Sequence, residues 1–97
     1  MMVKKNNDNY AFVFYDVNEK RVNKVFKICK KYLTHYQLSV FRGPITPSNF
    51  MKMKKELELI VDKSEDFITF ITCMNENAFN EMTIGKSTKG DLESIFL

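Results

Sequence analysis

Tyr10-Ala11-Phe12-Val13-Phe14-Tyr15-Asp16 is the stretch that decides the fold, because six apolar or aromatic residues run directly into a carboxylate. The run is shorter than an ordinary helix and rich in strand-forming residues, which predicts a buried first strand over about 10–17. Side chains alternate between the two faces of a strand. One face of the strand therefore carries Tyr10, Phe12, Phe14 and Asp16, and the opposite face carries Ala11, Val13 and Tyr15. Both faces are apolar, so both need to be covered.

Asp16 has two interpretations at the end of this strand. Aspartate commonly forms turns where a strand reaches solvent, and this is the simpler interpretation. A carboxylate at the end of a buried first strand is also a suitable ligand for a metal ion, since hard cations prefer charged oxygen ligands. Spacing alone leaves both interpretations open.

Length and composition predict one globular domain over 1–97, with a loose N-terminus over 1–9 and a tail over 86–97. Hydrophobic residues make up 44% of the chain, which is typical of a chain with a packed core. No apolar run approaches the ~20 residues of a membrane span, and the N-terminus has no signal-peptide core. Cys29 and Cys73 lack metal-site spacing, which predicts two reduced thiols and a cytoplasmic location.

The net charge of +3 conceals an asymmetry along the chain. Residues 1–55 hold twelve Lys or Arg against three Asp or Glu, a balance of +9, whereas residues 56–97 hold three against nine, a balance of −6. A basic half of this kind is typical of nucleic-acid-binding proteins. A solvated lysine-rich surface is the alternative, because only Arg21 and Arg42 are arginines.

A row of lysines carries much of this positive charge. The pattern after Asn18, a good helix cap, predicts a helix whose lysines recur every three or four residues on one face. Like charges at this spacing repel one another, so they serve either solubility or contact with a polyanion. The candidate nucleic-acid-binding residues are these lysines and the two arginines: Lys20, Arg21, Lys24, Lys27, Lys31 and Arg42.

The remaining pattern completes the order of elements. Two short strands are predicted over about 35–41 and 42–46, with His35 solvated at a strand edge. Thr46-Pro47 is a strong helix start, and the second helix runs to about residue 61. Residues 66–73 are predicted to form a strand, and 79–84 are predicted to form one more short strand. The sequence predicts an α+β, ferredoxin-like βαββαβ fold with an additional short C-terminal strand.

This fold places both helices on one face of the sheet and leaves the other face open. Phe12, Phe14 and Phe41 are predicted on the open face, which would be a large apolar patch for a monomer. A second copy is the expected cover. Two-fold symmetry would then bring two copies of Asp16 toward one another, and two carboxylates make a normal magnesium site where one does not.

Several motifs are missing from the sequence. It has no glycine-rich phosphate loop, no paired Cys/His spacing, no Ser-His-Asp set and no paired carboxylates in one strand. The aromatic signature of RNA-recognition domains is also missing.

The order of short motifs is nonetheless distinctive. Phe14-Tyr15-Asp16-Val17 is followed by Glu19-Lys20-Arg21-Val22-Asn23-Lys24-Val25, then by Lys30-Lys31-Tyr32-Leu33 and Gln37-Leu38-Ser39-Val40-Phe41-Arg42-Gly43. Ile45-Thr46-Pro47 opens the second helix, and Asp66 precedes the last core strand. Together these motifs closely resemble the CRISPR-associated protein 2 family over nearly all of 10–85. The tail after Gly85 matches the family poorly.

The resemblance implies a ferredoxin-like homodimer whose two sheets lie face to face. It implies that Asp16 is the catalytic residue and the Mg²⁺ ligand of an endonuclease acting on single-stranded RNA or double-stranded DNA. It also implies spacer acquisition together with the CRISPR integrase, CRISPR-associated protein one. A structural adaptor that holds duplex DNA and bridges integrase dimers is the alternative, and a toxin-like ribonuclease on the same fold is a further one.

Overall fold

The computed structural model describes residues 8–78 and residue 84. The elements follow the predicted βαββαβ order. The predicted extra strand over 79–84 and the tail over 86–97 lie outside the described residues, apart from Ile84. The elements are β1 (Tyr10–Asp16), α1 (Glu19–Tyr32), β2 (Thr34–Gln37), β3 (Val40–Pro44), α2 (Pro47–Ile60) and β4 (Phe67–Cys73), followed by a 3-10 turn at Glu76–Ala78.

The four described strands form one antiparallel sheet in the order β2-β3-β1-β4. β1 lies inside the sheet, with β3 on one side and β4 on the other. Phe12 pairs with Arg42 of β3 and with Ile71 of β4, whereas the last residue of β1, Asp16, pairs with Phe67. Strand order and helix placement confirm the predicted ferredoxin-like α+β class.

The core lies between one face of the sheet and the two helices. Ala11, Val13 and Tyr15 are buried on that face of β1, as strand alternation predicts. The helices contribute a further buried set on their inward faces: Val25 and Cys29 from α1, and Met53 and Leu57 from α2. The methionine at the centre of α2 is thus a core residue.

Both helices begin at the caps that the sequence predicts. The side-chain oxygen of Asn18 accepts a hydrogen bond from the backbone N–H of Lys20 at 2.9 Å. The hydroxyl oxygen of Thr46 accepts one from the backbone N–H of Asn49 at 3.1 Å, and Pro47 occupies the first helical position. Each cap satisfies a backbone donor that the helix leaves without an internal partner.

The predicted boundary between β2 and β3 was wrong. The turn is at residues 38–39, inside the first predicted strand, and Leu38 has a φ of 31°. The His35 ring closes this turn, because its Nε2 lies 2.8 Å from the carbonyl oxygen of Leu38. A carbonyl only accepts, so Nε2 carries the proton. His35 lies on the edge strand β2, as predicted, and is half-buried, because its ring also packs against the rings of Phe26 and Phe41, each at 5.0 Å.

The face of the sheet opposite the helices, called the open face below, carries a row of large side chains. Phe14, Phe67 and Ile71 lie on it and are 38%, 67% and 48% exposed. Phe12 lies beside them, stacked on Phe14 with ring centroids 6.1 Å apart. Phe41 was wrongly predicted on this face. It pairs with Val13, and strand partners share a face, so Phe41 is fully buried among the helices.

Both cysteines of the chain are free thiols. Cys29 is a free, buried thiol, and burial raises its pKa to about 12. Cys73 is free and half-buried at the end of β4.

None of the helices within the described part of the chain is long and apolar enough to cross a membrane.

Candidate functional site

Asp16 is the last residue of β1 and lies on the open face of the sheet. Its neighbour Tyr15 points into the core, so alternation along the strand places the Asp16 side chain on the opposite side. Asp16 is exposed, and its carboxylate makes no hydrogen bond or ion pair with another residue in the described part of the chain. A carboxylate without a partner among the described residues, on a face rich in apolar side chains, is available to a ligand.

One Asp16 is an incomplete metal site. Within residues 8–78 and 84, no three His, Cys, Asp or Glu side chains are grouped so that they could hold a metal ion. Magnesium is usually bound by one or two carboxylates together with waters and substrate phosphates. The residues present therefore fit a magnesium ion if a second copy of the chain supplies a second Asp16.

The connection from Asp16 to α1 is short and anchored. Val17 packs against the core, and Asn18 caps α1. The backbone N–H of Asn18 donates to Asp66 Oδ1 at 2.9 Å, across 48 residues of sequence. Asp66 immediately precedes Phe67, the strand partner of Asp16. A single carboxylate thus joins the two chain segments that adjoin the candidate ligand.

Several donors bind the carboxylate of Asp66. Arg21 donates to it through Nε at 2.5 Å and Nη2 at 3.1 Å, and the backbone N–H of Asp62 donates at 2.9 Å. The Asp66 side chain is fully buried, and that of Arg21 is 18% exposed. Hydrogen bonds from Arg21 hold the pKa of the Asp66 carboxyl well below its usual range.

The predicted lysines line the outer side of α1. Lys20, Lys24, Lys27 and Lys31 are all exposed. At 100° per residue they fall on one side of the helix, opposite the buried pair of Val25 and Cys29. We call these four residues the lysine stripe.

Only part of the lysine stripe is free of partners. Lys31 Nζ lies 2.5 Å from Glu56 Oε1 on α2, and the Tyr32 hydroxyl donates to the other oxygen of Glu56. The hydrogen bond from Lys31, followed by that from Tyr32, lowers the pKa of Glu56. Three lysines of the stripe therefore remain without an ion pair in the part of the chain described.

The two arginines occupy other places. Arg21 binds Asp66 and, through Nη2, Glu65 at 2.9 Å, so its guanidinium has intramolecular partners. Arg42 lies on β3 with its guanidinium carbon 4.1 Å from the centre of the Tyr36 ring. Its strand partner Phe12 places Arg42 on the open face, away from the lysine stripe. Nucleic-acid binding by either arginine stays a prediction.

Asp16 and the lysine stripe, the two candidate sites, lie on different surfaces of the structure. Asp16 lies on the open face of the sheet, and the lysine stripe lies on the outer side of the helical layer. Lys20 is the member nearest to Asp16 in sequence, and each later residue of α1 adds about 1.5 Å of helix length. The chain thus brings Asp16 close to the first turn of α1 and not to the stripe as a whole.

Comparison with known proteins identifies the family to which this fold and site correspond. The family model described as CRISPR associated protein Cas2 matches residues 9–82. The chain belongs to the Cas2 family. The match includes β1 with Asp16, the whole of α1 with its lysines, and Asp66.

Curated Cas2 relatives cover most of the chain. It is 40% identical over 87 residues to the CRISPR-associated endoribonuclease Cas2 of Thermotoga maritima, covering 90% of this chain and 99% of that protein. It is 43% identical over 76 residues to CRISPR-associated endoribonuclease Cas2 3 of Thermodesulfovibrio yellowstonii, covering 78% and 86%.

Solved Cas2 structures have the same fold. A crystal structure of a protein described as cas2 superposes with a TM-score of 0.76 at 32% identity, covering 84% of this chain and 91% of that one. Streptococcus pyogenes Cas2 superposes with a TM-score of 0.63 at 35% identity, covering 70% and 88%. The family resemblance predicted from the sequence is confirmed.

Sequence reasoning did not assign a role to Asp66. Its position ahead of β4 was seen only as a family match, and the Arg21 side chain was counted with the basic surface. A usable signal was present, because Asp66 precedes the strand paired with β1 and Arg21 lies in the first turn after β1. Residues at these two positions meet at the same end of the sheet.

Proposed function

We propose that this Cas2 family protein is a magnesium-dependent endonuclease of a CRISPR system, active as a homodimer, with Asp16 of each chain at a shared site. The observation that carries the proposal is the exposed carboxylate of Asp16, which has no partner among the described residues and lies on a sheet face rich in apolar side chains. The Thermotoga and Thermodesulfovibrio relatives are named as endoribonucleases, which supports ribonuclease activity in particular.

The homodimer is supported by the composition of the open face. Phe14, Phe67 and Ile71 remain substantially exposed there in the single chain. Soluble monomers rarely expose contiguous apolar surface of this kind. A second copy packed sheet against sheet would cover these side chains and bring the two Asp16 carboxylates to one interface.

The chain's own groups have distinct roles in this proposal. Asp16 from each protomer would bind the ion, which supplies positive charge that polarises a phosphodiester when bound. Lys20, in the first turn of α1, would contribute charge for an adjacent phosphate. Single-stranded RNA is the proposed substrate, and double-stranded DNA is the alternative substrate.

A structural adaptor is the second candidate function, and one observation favours it. The lysine stripe lies on the helical layer, so a duplex bound there does not depend on the Asp16 carboxylate. In this role the dimer would hold duplex DNA and bridge dimers of the CRISPR integrase, CRISPR-associated protein one, during spacer acquisition. Cleavage would then be dispensable.

The substitution Asp16→Asn separates the two candidates. It keeps the shape of the side chain but removes the charge that magnesium requires. For a nuclease we expect magnesium-dependent cleavage of single-stranded RNA to fall about 100-fold or more, while duplex binding is unchanged. Glu58→Gln removes an exposed carboxylate on α2 and serves as the matched control, with unchanged cleavage.

Two outcomes would overturn the nuclease proposal. Full cleavage by pure Asp16→Asn protein would remove Asp16 from the mechanism. Absence of cleavage in the parent, together with spacer integration by the Asn variant, would establish the adaptor instead. Integration is measured with purified integrase and a duplex spacer.

The dimer is tested by sedimentation at micromolar concentration. The parent should sediment at about twice the chain mass of 11.5 kDa. Phe14→Glu should dissociate it, because a charge on the open face would be buried without a partner in the interface. Leu59→Glu is the control, since Leu59 is 85% exposed on α2, outside the open face. A monomeric parent would refute the shared site.

A further inference from the structure

The side chain of Asp66 is buried and fully bonded, although it is charged. Oδ1 accepts from the Asn18 backbone N–H at 2.9 Å and from Arg21 Nη2 at 3.1 Å. Oδ2 accepts from Arg21 Nε at 2.5 Å and from the Asp62 backbone N–H at 2.9 Å. A carboxylate offers about four acceptor positions, and four donors occupy them.

This saturation excludes a direct chemical role for Asp66. Its carboxylate has no exposed surface. A metal ion or a substrate could reach it only after displacing donors that would then be left buried without partners, which is costly. Asp66 therefore acts on the surrounding chain and not on a ligand.

Three of the four donors come from the segment that directly follows Asp16, and the fourth is the backbone N–H of Asp62. Asn18 follows Asp16 by two residues and begins α1. Arg21 lies in the first turn of that helix, and Asp62 follows α2. On the other side, Phe67 follows Asp66 directly and is the strand partner of Asp16. The chain on both sides of Asp16's end of the sheet thus converges on one carboxylate.

We propose that Asp66 is a positioning residue for Asp16. It fixes the two-residue connection between Asp16 and α1 against the start of β4. This inference rests on the proposed nuclease function for its catalytic consequence. Asp16 needs such an anchor because its side chain has no partner in the described chain. Its position therefore depends on its backbone. Misplacement of a reacting group by about 1 Å can reduce a rate about 100-fold.

Asp66→Asn tests the proposal with little change in volume. An amide has one accepting oxygen and one donating nitrogen, so either orientation turns a donor toward two of the four existing donors. We expect kcat for magnesium-dependent RNA cleavage to fall about 10- to 100-fold with little change in KM. In the same variant, hydrogen exchange of the Asn18 amide should accelerate about tenfold or more, since its acceptor is lost or weakened.

A matched control removes a different carboxylate anchor between elements. Glu56→Gln weakens the contacts of Lys31 and Tyr32 with α2, at the far end of α1 from Asp16. It should leave kcat and the hydrogen-exchange rate of the Asn18 amide unchanged. Arg21→Lys provides a milder variant that keeps the positive charge but loses the two-pronged contact. It should give smaller losses in the same direction, and it serves if Asp66→Asn does not fold.

The possible failures are distinguishable. Unchanged Asn18 exchange and unchanged kcat in folded Asp66→Asn would overturn the positioning role while leaving the nuclease proposal intact. An equal loss of kcat in Glu56→Gln would also overturn it, because general destabilisation would explain the result. A parent without cleavage would refute the nuclease proposal and the catalytic consequence, whatever the exchange data show for Asn18.

Discussion

The lysine stripe makes a quantitative prediction for duplex binding. Of the four lysines of the stripe, Lys20, Lys24 and Lys27 have no ion pair with another described residue, whereas Lys31 is paired with Glu56. Each phosphate contact on B-DNA contributes about −0.9 to the slope of log affinity against log salt concentration, so one stripe should give about −2.7. Raising salt from about 50 to about 200 mM should then weaken binding about 40-fold.

The perturbation is the double variant Lys24→Ala/Lys27→Ala. It leaves one unpaired lysine, so the slope should flatten to about −0.9 and the same increase in salt should weaken binding only about 3.5-fold. Fluorescence anisotropy of labelled duplexes at several salt concentrations measures both values. Two duplexes of unrelated sequence should lose affinity equally, because phosphate contacts carry no sequence information.

Two further variants sharpen this test. Lys55→Ala/Lys63→Ala removes the same net charge from exposed positions outside α1 and should leave the slope nearly unchanged. Glu56→Gln removes the partner of Lys31 and should steepen the slope by about 0.9, since a fourth lysine becomes available. Equal slopes in the parent and the Lys24→Ala/Lys27→Ala variant would show that the stripe is only a solvated face.

The remaining predictions concern stability. Phe41→Ala should lower the free energy of unfolding by about 3–5 kcal/mol in urea titrations, because Phe41 is fully buried, whereas Leu59→Ala on the exposed side of α2 should change it by less than about 0.5 kcal/mol. The lowered pKa of Asp66 stabilises the folded state above the unfolded pKa of about 3.9, and this stabilisation should decline as pH falls below about 4. Asp66→Asn should lack that part of the acid dependence, and an unchanged acid transition would refute the assignment.

Local periodicity was sufficient to predict most of the fold. Alternation along β1 correctly assigned Ala11, Val13 and Tyr15 to one face and Asp16 to the other, because the period of a strand is fixed by backbone geometry. The caps at Asn18 and Thr46 correctly predicted where the helices begin, since each supplies an acceptor for a backbone donor of the first turn.

Alternation failed where the chain turns without the usual residues. The turn between β2 and β3 has Leu38 at a positive φ, whereas short hairpin turns usually carry glycine or asparagine there. The register also shifts between His35 and Gln37. A break in the two-residue period assigns every later residue to the wrong face, which explains the wrong position of Phe41.

The Asp66 network illustrates a different limit of sequence reasoning. Arg21 and Asp66 are 45 residues apart, and nothing in the local pattern around either residue distinguishes it from a solvated charge. Only the pairing of β1 with β4 brings them together. Charge patterns identified the basic half of the chain. They could not show which of its basic side chains form ion pairs within the fold.

The separation of Asp16 from the lysine stripe constrains how one protein could combine both proposed functions. In a dimer formed through the open faces, the stripes would lie on the two outer sides, and the Asp16 carboxylates would lie at the interface between the sheets. A rigid duplex held along α1 would then run outside the layer that contains Asp16. A flexible single strand could instead enter at the end of β1 and pass Lys20, the member of the stripe nearest to Asp16 in sequence. This geometry favours RNA cleavage at Asp16 and duplex binding along α1 as two uses of different surfaces.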